Sequence, residues 1–288
     1  MNRIPRPIIN DHAALQALAG NEGVESYPHL HGAVADILQG YTQYDAASGN
    51  AFNVSHVNVT LVIEKYLKAH YKSPPKDLKH IKAMRKDTGH RACPMCGSLH
   101  SGTLDHLLPQ SSHGAFVVFS HNLVPACKCN SQRKTTLLGL NAGERILHPY
   151  FDDCLSERLV VASFEDLGLI PKVGLKLCVD DKHPDYAAIA FHFRNIVQQT
   201  TVTGYLRDKW IDLFRKPSLV VRELKHNPPT VDALREILVE ELALLDDAHK
   251  GKNNWNSIFV AGLLETGVTN WLFQQFDMPG RLPDTPLS

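Results

Sequence analysis

Four cysteines in two short pairs, Cys93-Pro94-Met95-Cys96 and Cys127-Lys128-Cys129, constrain this chain more than any other feature. Two residues between thiolates let both sulfurs meet one tetrahedral ion, and Gly97 relieves the tight turn that follows. The second pair is shorter by one residue. In an extended strand its sulfurs share a face but stand far apart, so they reach one ion only if the chain turns there, as at a strand-to-helix junction. Cys93, Cys96, Cys127 and Cys129 therefore predict one structural zinc. The alternatives are two reduced pairs packed as small apolar side chains, or His100 or Cys154 standing in for one ligand. The remaining cysteines, Cys154 and Cys178, stand apart.

Metal rather than disulfide follows from the expected compartment. No stretch approaches the ~18 consecutive apolar residues of a membrane span, and MNRIPRPIINDH has no apolar leader. The expectation is a cytoplasmic protein, away from membranes, with reduced thiols. With 43% hydrophobic and 21% charged residues the chain can build a sizeable core, which excludes a disordered protein. Lysines and arginines equal the acids at 30 each, which excludes a globally basic coat but not a local basic surface.

The region between the cysteine pairs carries further chemistry. Thr103-Leu104-Asp105-His106-Leu107-Leu108-Pro109 places an adjacent carboxylate and imidazole on a short expected strand, where neighbours point to opposite faces. A carboxylate can hold a hard cation, and an imidazole can take a proton from water near neutral pH. Phe116 to Ala126 reads as a strand running into a loop, and Cys129-Asn130-Ser131-Gln132-Arg133-Lys134 as a short helix. The result is a ββα arrangement closed by zinc.

Three segments follow: a helical region over 1–90, the ββα unit over 91–153, and a mixed, mainly helical region over 154–288. Apolar spacing predicts helices over 28–44, 57–71 and 76–86, after an irregular lead-in over 1–25. Residues 65–91 hold nine bases and two acids, either a solvated helix face or a phosphate-facing surface; Lys79, Lys82 and Lys86 are candidate nucleic-acid contacts. Beyond the ββα unit, RLVVASF and KVGLKLCV alternate as strands, and AAIAFHFRNI fits strand or helix. The tail reads as helices over 204–215, 231–248 and 255–276, the second of them acidic. His113 and His121 read as loop histidines, His148 as packing, and His183 and His192 carry no argued role.

Asp105-His106 and then Asn122 in NLVPAC between the two cysteine pairs, followed by Asn130 directly after the last cysteine, resembles the HNH endonucleases, the ββα-metal nucleases. The likeness covers about a sixth of the chain, with two departures: the C-x-C pair, and Asn rather than His at the third position. The resemblance implies an α+β protein with a ββα-metal, zinc-stabilised nuclease core. It also implies hydrolysis of DNA phosphodiester bonds, with RNA left open as a substrate, and a place in bacterial or phage defence, restriction or mobile elements. His106 would deprotonate water, Asp105 and Asn130 would hold Mg²⁺ or Mn²⁺, and Asn122 would pin the loop and orient His106. Arg133 or Lys134 would contact phosphate.

One site cuts one strand, so a double-strand break calls for two visits or a homodimer. No Gly-rich phosphate loop is present, so any ATP dependence falls to a regulatory partner such as an ATPase subunit. The competing reading is a zinc-stabilised nucleic-acid-binding or scaffold subunit without catalysis.

Overall fold

The computed structural model describes residues 1–87, 89–100 and 102–287. The stretch read as an irregular lead-in contains helix α1 (Asp11–Ala19), started by Asn10, whose Oδ1 accepts from the Ala13 amide at 2.9 Å. Helix α2 (Val34–Ala46) begins later than its spacing predicts because residues 28–33 are spent in turns. Helix α3 (Leu61–Lys72) likewise starts late, where Thr60 Oγ1 caps the Ile63 amide. Helix α4 (Lys79–Lys86) follows a single 3₁₀ turn and buries Ile81.

Strands β1 (Thr103–His106) and β2 (Leu123–Ala126) pair antiparallel, Thr103 opposite Ala126 and His106 opposite Leu123. The strand expected from Phe116 therefore begins only at Leu123; residues 114–116 and 120–122 are 3₁₀ turns. Phe116, Val117, Val118 and Phe119 are all buried, a continuously apolar run that fits several backbones, and packing against α2 selects the turns. Phe119 stacks on Tyr41 of α2 at 4.1 Å between ring centres. Helix α5 (Lys128–Gln132) leaves β2 through Cys127.

In the C-terminal segment, β3 (Val160–Glu165) and β4 (Lys172–Leu177) form an antiparallel hairpin. Residues 187–196, open between strand and helix in sequence, are helix α6 (Tyr186–His192) continuing as a π turn. Helices α7 (Val202–Arg215), α8 (Val231–His249), α9 (Trp255–Leu263) and α10 (Thr266–Phe276) complete the chain. The single helix expected over 255–276 is broken because Glu265 turns back to cap the Val268 amide. Helix α9 lies directly on β3: a Cβ on Gly262 would come within 2.6 Å of the Ala162 carbonyl oxygen, so only glycine permits this approach.

Buried apolar residues from all three segments form one contiguous cluster. The molecule is α+β, and no helix among the described residues is long and apolar enough to cross a membrane.

Candidate active site and metal centre

The turn that the C-x-C pair requires is present. Cys127 ends β2 and is the N-cap of α5, so Cys129 swings back toward Cys127 instead of continuing along a strand. The sulfurs of Cys93, Cys96, Cys127 and Cys129 lie within 4.8 Å of one another, with Cys93–Cys129 at 3.7 Å and Cys96–Cys127 at 3.5 Å. A Zn–S bond of about 2.3 Å sets tetrahedral sulfurs about 3.8 Å apart, so the cluster fits a metal such as zinc. Gly97 takes a left-handed φ of +80° and donates its amide to the Cys93 carbonyl at 2.8 Å, closing the first knuckle. The Cys127 amide points at Cys93 Sγ (3.3 Å) and the Cys129 amide at Cys127 Sγ (3.4 Å), contacts that favour thiolates. Cys127 loses its proton most readily, because the thiols of Cys129, Cys93 and Cys96 donate to it; its neighbour Cys129 is pushed the opposite way. Cys154 and His100 are not in the cluster.

The knuckle is buttressed from far along the chain. Trp255 donates its backbone amide to the Gly97 carbonyl and its indole N–H to the Cys96 carbonyl, both at 3.0 Å. His192 accepts from the Leu147 amide at Nδ1, so Nε2 carries the proton and donates to the Met95 carbonyl at 2.7 Å. The sequence assigns His192 no role and does not single out Trp255. Only a histidine within an apolar helix hinted at a buried polar partner.

Strand β1 divides Asp105 from His106 as its pleat requires. Thr103 and Asp105 face outward; Leu104 and His106 face inward. His106 is buried beneath the Tyr71 ring, edge-on at 4.4 Å between centres. Its Nε2 lies 2.8 Å from the Val117 carbonyl, which only accepts, so Nε2 holds the proton and Nδ1 is a bare acceptor. Gln110 Nε2 donates to that Nδ1 at 3.0 Å, and Asp105 Oδ1 stands 3.9 Å away. Burial pulls the His106 pKa down to about 4, so the imidazole is neutral at physiological pH.

Asn122 is fully buried. Its Oδ1 accepts from the Leu108 amide (2.7 Å), and its Nδ2 donates to the carbonyls of Leu108 and Phe116, both at 3.2 Å. It thus pins the loop that presents the Val117 carbonyl to His106. Asn130 lies beside the Asp105 carboxylate, and it reaches His106 at the backbone carbonyl rather than at the imidazole. Its orientation differs from a ligand's, however. Nδ2 donates to Asp105 Oδ2 (2.9 Å) and to the His106 carbonyl (3.0 Å), while Oδ1 is taken by Arg133 Nε at 2.8 Å. In this arrangement Asn130 offers the carboxylate a donor, not a second oxygen for a cation. Asp105, with 29% of its side chain exposed, keeps a reachable carboxylate.

Arg133 corrects an expectation. Instead of facing phosphate it is buried, clamping the carbonyls of His106, Leu107 and Thr136 as well as Asn130. The cause is the shortness of α5: Arg133 is its C-cap and folds back beneath β1. Burial lowers its pKa to about 10, which leaves it cationic. Lys134, the other candidate, is exposed, as are Lys79, Lys82 and Lys86 on α4. Helix α4 is held near the site by Arg85, whose guanidinium lies 4.4 Å over the Tyr71 ring and whose Nη2 donates to the Tyr71 carbonyl. Tyr71, Arg85 and Gln110 are thus site residues the sequence did not single out.

His148 and His121 are tied into the packing between α2 and the ββα unit. His148 is fully buried, with Nε2 2.9 Å from Tyr44 Oη and 3.1 Å from the His121 carbonyl. Nearby, Tyr150 docks on β2 through the Leu123 carbonyl at 2.7 Å. His121 pairs with Asp45 at 2.6 Å.

Comparison with known proteins adds one partial likeness. The chain is 34% identical over 76 residues to Protein ea31 of Escherichia phage lambda, a stretch covering 25% of this chain. The chain spans about a quarter (26%) of the length of that curated relative. No protein-family profile matches the chain, and no solved structure matches it.

Proposed function

We propose that this chain is a metal-dependent HNH-type endonuclease that hydrolyses DNA phosphodiester bonds. The observation that carries the reading is the junction of the outward Asp105 carboxylate and the neutral, Nε2-protonated His106 on β1, beside a zinc-type cysteine cluster. The Val117 carbonyl holds the proton at Nε2 and aims Nδ1 toward the Asp105 side, where the imidazole takes the proton of an attacking water. Gln110 covers Nδ1 and withdraws to admit that water. A hard divalent ion, Mg²⁺ or Mn²⁺, fits the Asp105 carboxylate; Asn130 joins it only by turning its amide over and releasing Arg133 Nε. Such an ion supplies charge stabilisation on the phosphate and on the leaving oxygen. Lys134 and the α4 lysines hold the strand through its phosphates. The four cysteines leave no open position, so their metal is structural.

The competing reading is a zinc-stabilised nucleic-acid-binding subunit. What favours it is that both ring nitrogens of buried His106 are already bonded. Plasmid nicking in Mg²⁺ and Mn²⁺ decides between the two. Asp105→Asn keeps the shape of the side chain, and His106→Ala removes the base. The nuclease reading expects both to lose at least about 10²-fold in rate while retaining DNA binding. Binding without metal-dependent cutting by the wild type would select the second reading.

A further inference from the structure

A cleft of about 560 Å³ opens between the cysteine cluster and the C-terminal helices. Its walls are Leu99, Tyr205 and Trp255 on the apolar side and Cys127 and Cys129 on the other, with Lys128, Gln132, Thr103 and Thr201 around its mouth. We infer that this cleft receives an unpaired nucleobase from the strand bound at Asp105. The inference rests on the nucleic-acid reading above and names its substrate class: single-stranded or locally opened nucleic acid.

Four observations carry it. First, the cleft neighbours the candidate site along β1. Thr103 at its mouth and Asp105 share the outward face of β1, and two residues of strand separate them by about 7 Å, within reach of a single extended nucleotide. Second, the walls suit a base. Tyr205 is half-exposed, with its ring centre 5.4 Å from that of Trp255 and the Lys209 ammonium 5.8 Å over its face, which gives a braced aromatic surface for stacking. Third, the polar groups divide as a nucleotide requires. Among the described lining residues there is no carboxylate. The exposed Lys128 and the Gln132 amide stand at the mouth, where phosphate and sugar lie. The cysteine sulfurs, anionic when metal-bound, repel phosphate from the interior but accept hydrogen bonds from a base's N–H groups. Fourth, the cleft is larger than one base and open at the rim, so a strand can enter sideways.

Fluorescence anisotropy of the full chain with a labelled oligothymidylate of about 12 residues, alongside a duplex of equal length, tests this. Two variants are used: Tyr205→Leu, which removes the stacking surface, and Thr201→Trp, which fills the cleft from an exposed position. Each is expected to bind the oligothymidylate about tenfold more weakly and the duplex as wild type does. Unchanged oligothymidylate affinity in Thr201→Trp, or an equal loss for duplex, overturns the inference. So does displacement by micromolar thymidine monophosphate, which assigns the cleft to free nucleotides. The nuclease reading fails separately: if Asp105→Asn leaves cutting intact but Thr201→Trp still loses the oligonucleotide, the cleft stands and that reading falls.

Discussion

Arg133 and Lys134 are neighbours in sequence and opposites in what they do. Arg133 is buried and satisfies three backbone carbonyls and the Asn130 amide oxygen; Lys134 is exposed, at a left-handed φ of +54°. Truncating Arg133 strands those acceptors in the interior. Arg133→Ala should cost about 3 kcal/mol and lower Tm by several degrees. Lys134→Ala should leave Tm unchanged and weaken DNA binding evenly across sequences, reducing the slope of log affinity against log salt by about 0.9. Thermal melts and salt titrations of both variants check the pair. His148 gives a second residue-scale prediction. Burial holds its folded pKa near about 3 against an ordinary 6.5. The stability gained by keeping it neutral is therefore fully present above pH 6.5 and is lost as pH falls toward 3, at about 1.4 kcal/mol per pH unit. Urea melts between pH 7.5 and 5 should show His148→Gln matching the wild-type slope at the upper end and falling short of it by close to one proton near pH 5.

At the scale of elements, α4 tests whether the basic block is a working surface. Its lysines project to solvent while Ile81 anchors the helix and Arg85 ties it to Tyr71, beside His106. Replacing Lys79, Lys82 and Lys86 together by alanine should lower the salt slope of DNA binding by about 2 to 3 without altering the melt. An unchanged slope would make α4 a solvated face and nothing more. How legible each element was follows from what fixed it. The C-x-C turn and the Asp105/His106 division could be read because chelation geometry and the strand pleat are local rules. The hairpin β3–β4 could be read because Val173, Leu175 and Leu177 alternate with Lys172, Gly174 and Lys176 along β4, although β3 buries Val160, Val161 and Ala162 in succession. Helix α1 was missed because its strongest signal is one capping side chain, Asn10, ahead of a weakly patterned run. The turns over 114–122 were missed because a continuously apolar run fits several backbones, and tertiary packing against Tyr41 and Tyr44 chose among them. The Arg133 fold-back was invisible for the same reason: its partners, Leu107 and Asn130, come together only after β1 and α5 pack.

For the molecule as a whole, the ββα unit is short of its own bonding partners. The carbonyls of Met95, Cys96 and Gly97, which form the first knuckle, are satisfied by His192 and Trp255, beyond position 153. The Pro94 carbonyl accepts the Asn2 amide from the other flank. A unit of roughly 60 residues has little core to offset such losses, and each buried carbonyl left without a donor costs about 1 to 3 kcal/mol. The four sulfurs can still gather a metal, since their spacing is set within the unit. Isolated residues 91–153 are therefore expected to bind one zinc per chain yet show no cooperative melt, whereas the full chain binds zinc and melts in a single transition. Trp255→Phe in the full chain keeps an aromatic ring but removes the indole N–H from the Cys96 carbonyl along with the fused five-membered ring. It should lower Tm by a few degrees and accelerate zinc loss to a chelator several-fold, with the fold retained. A fragment melting as sharply as the whole protein would show that the flanks merely cover the metal unit and do not complete it.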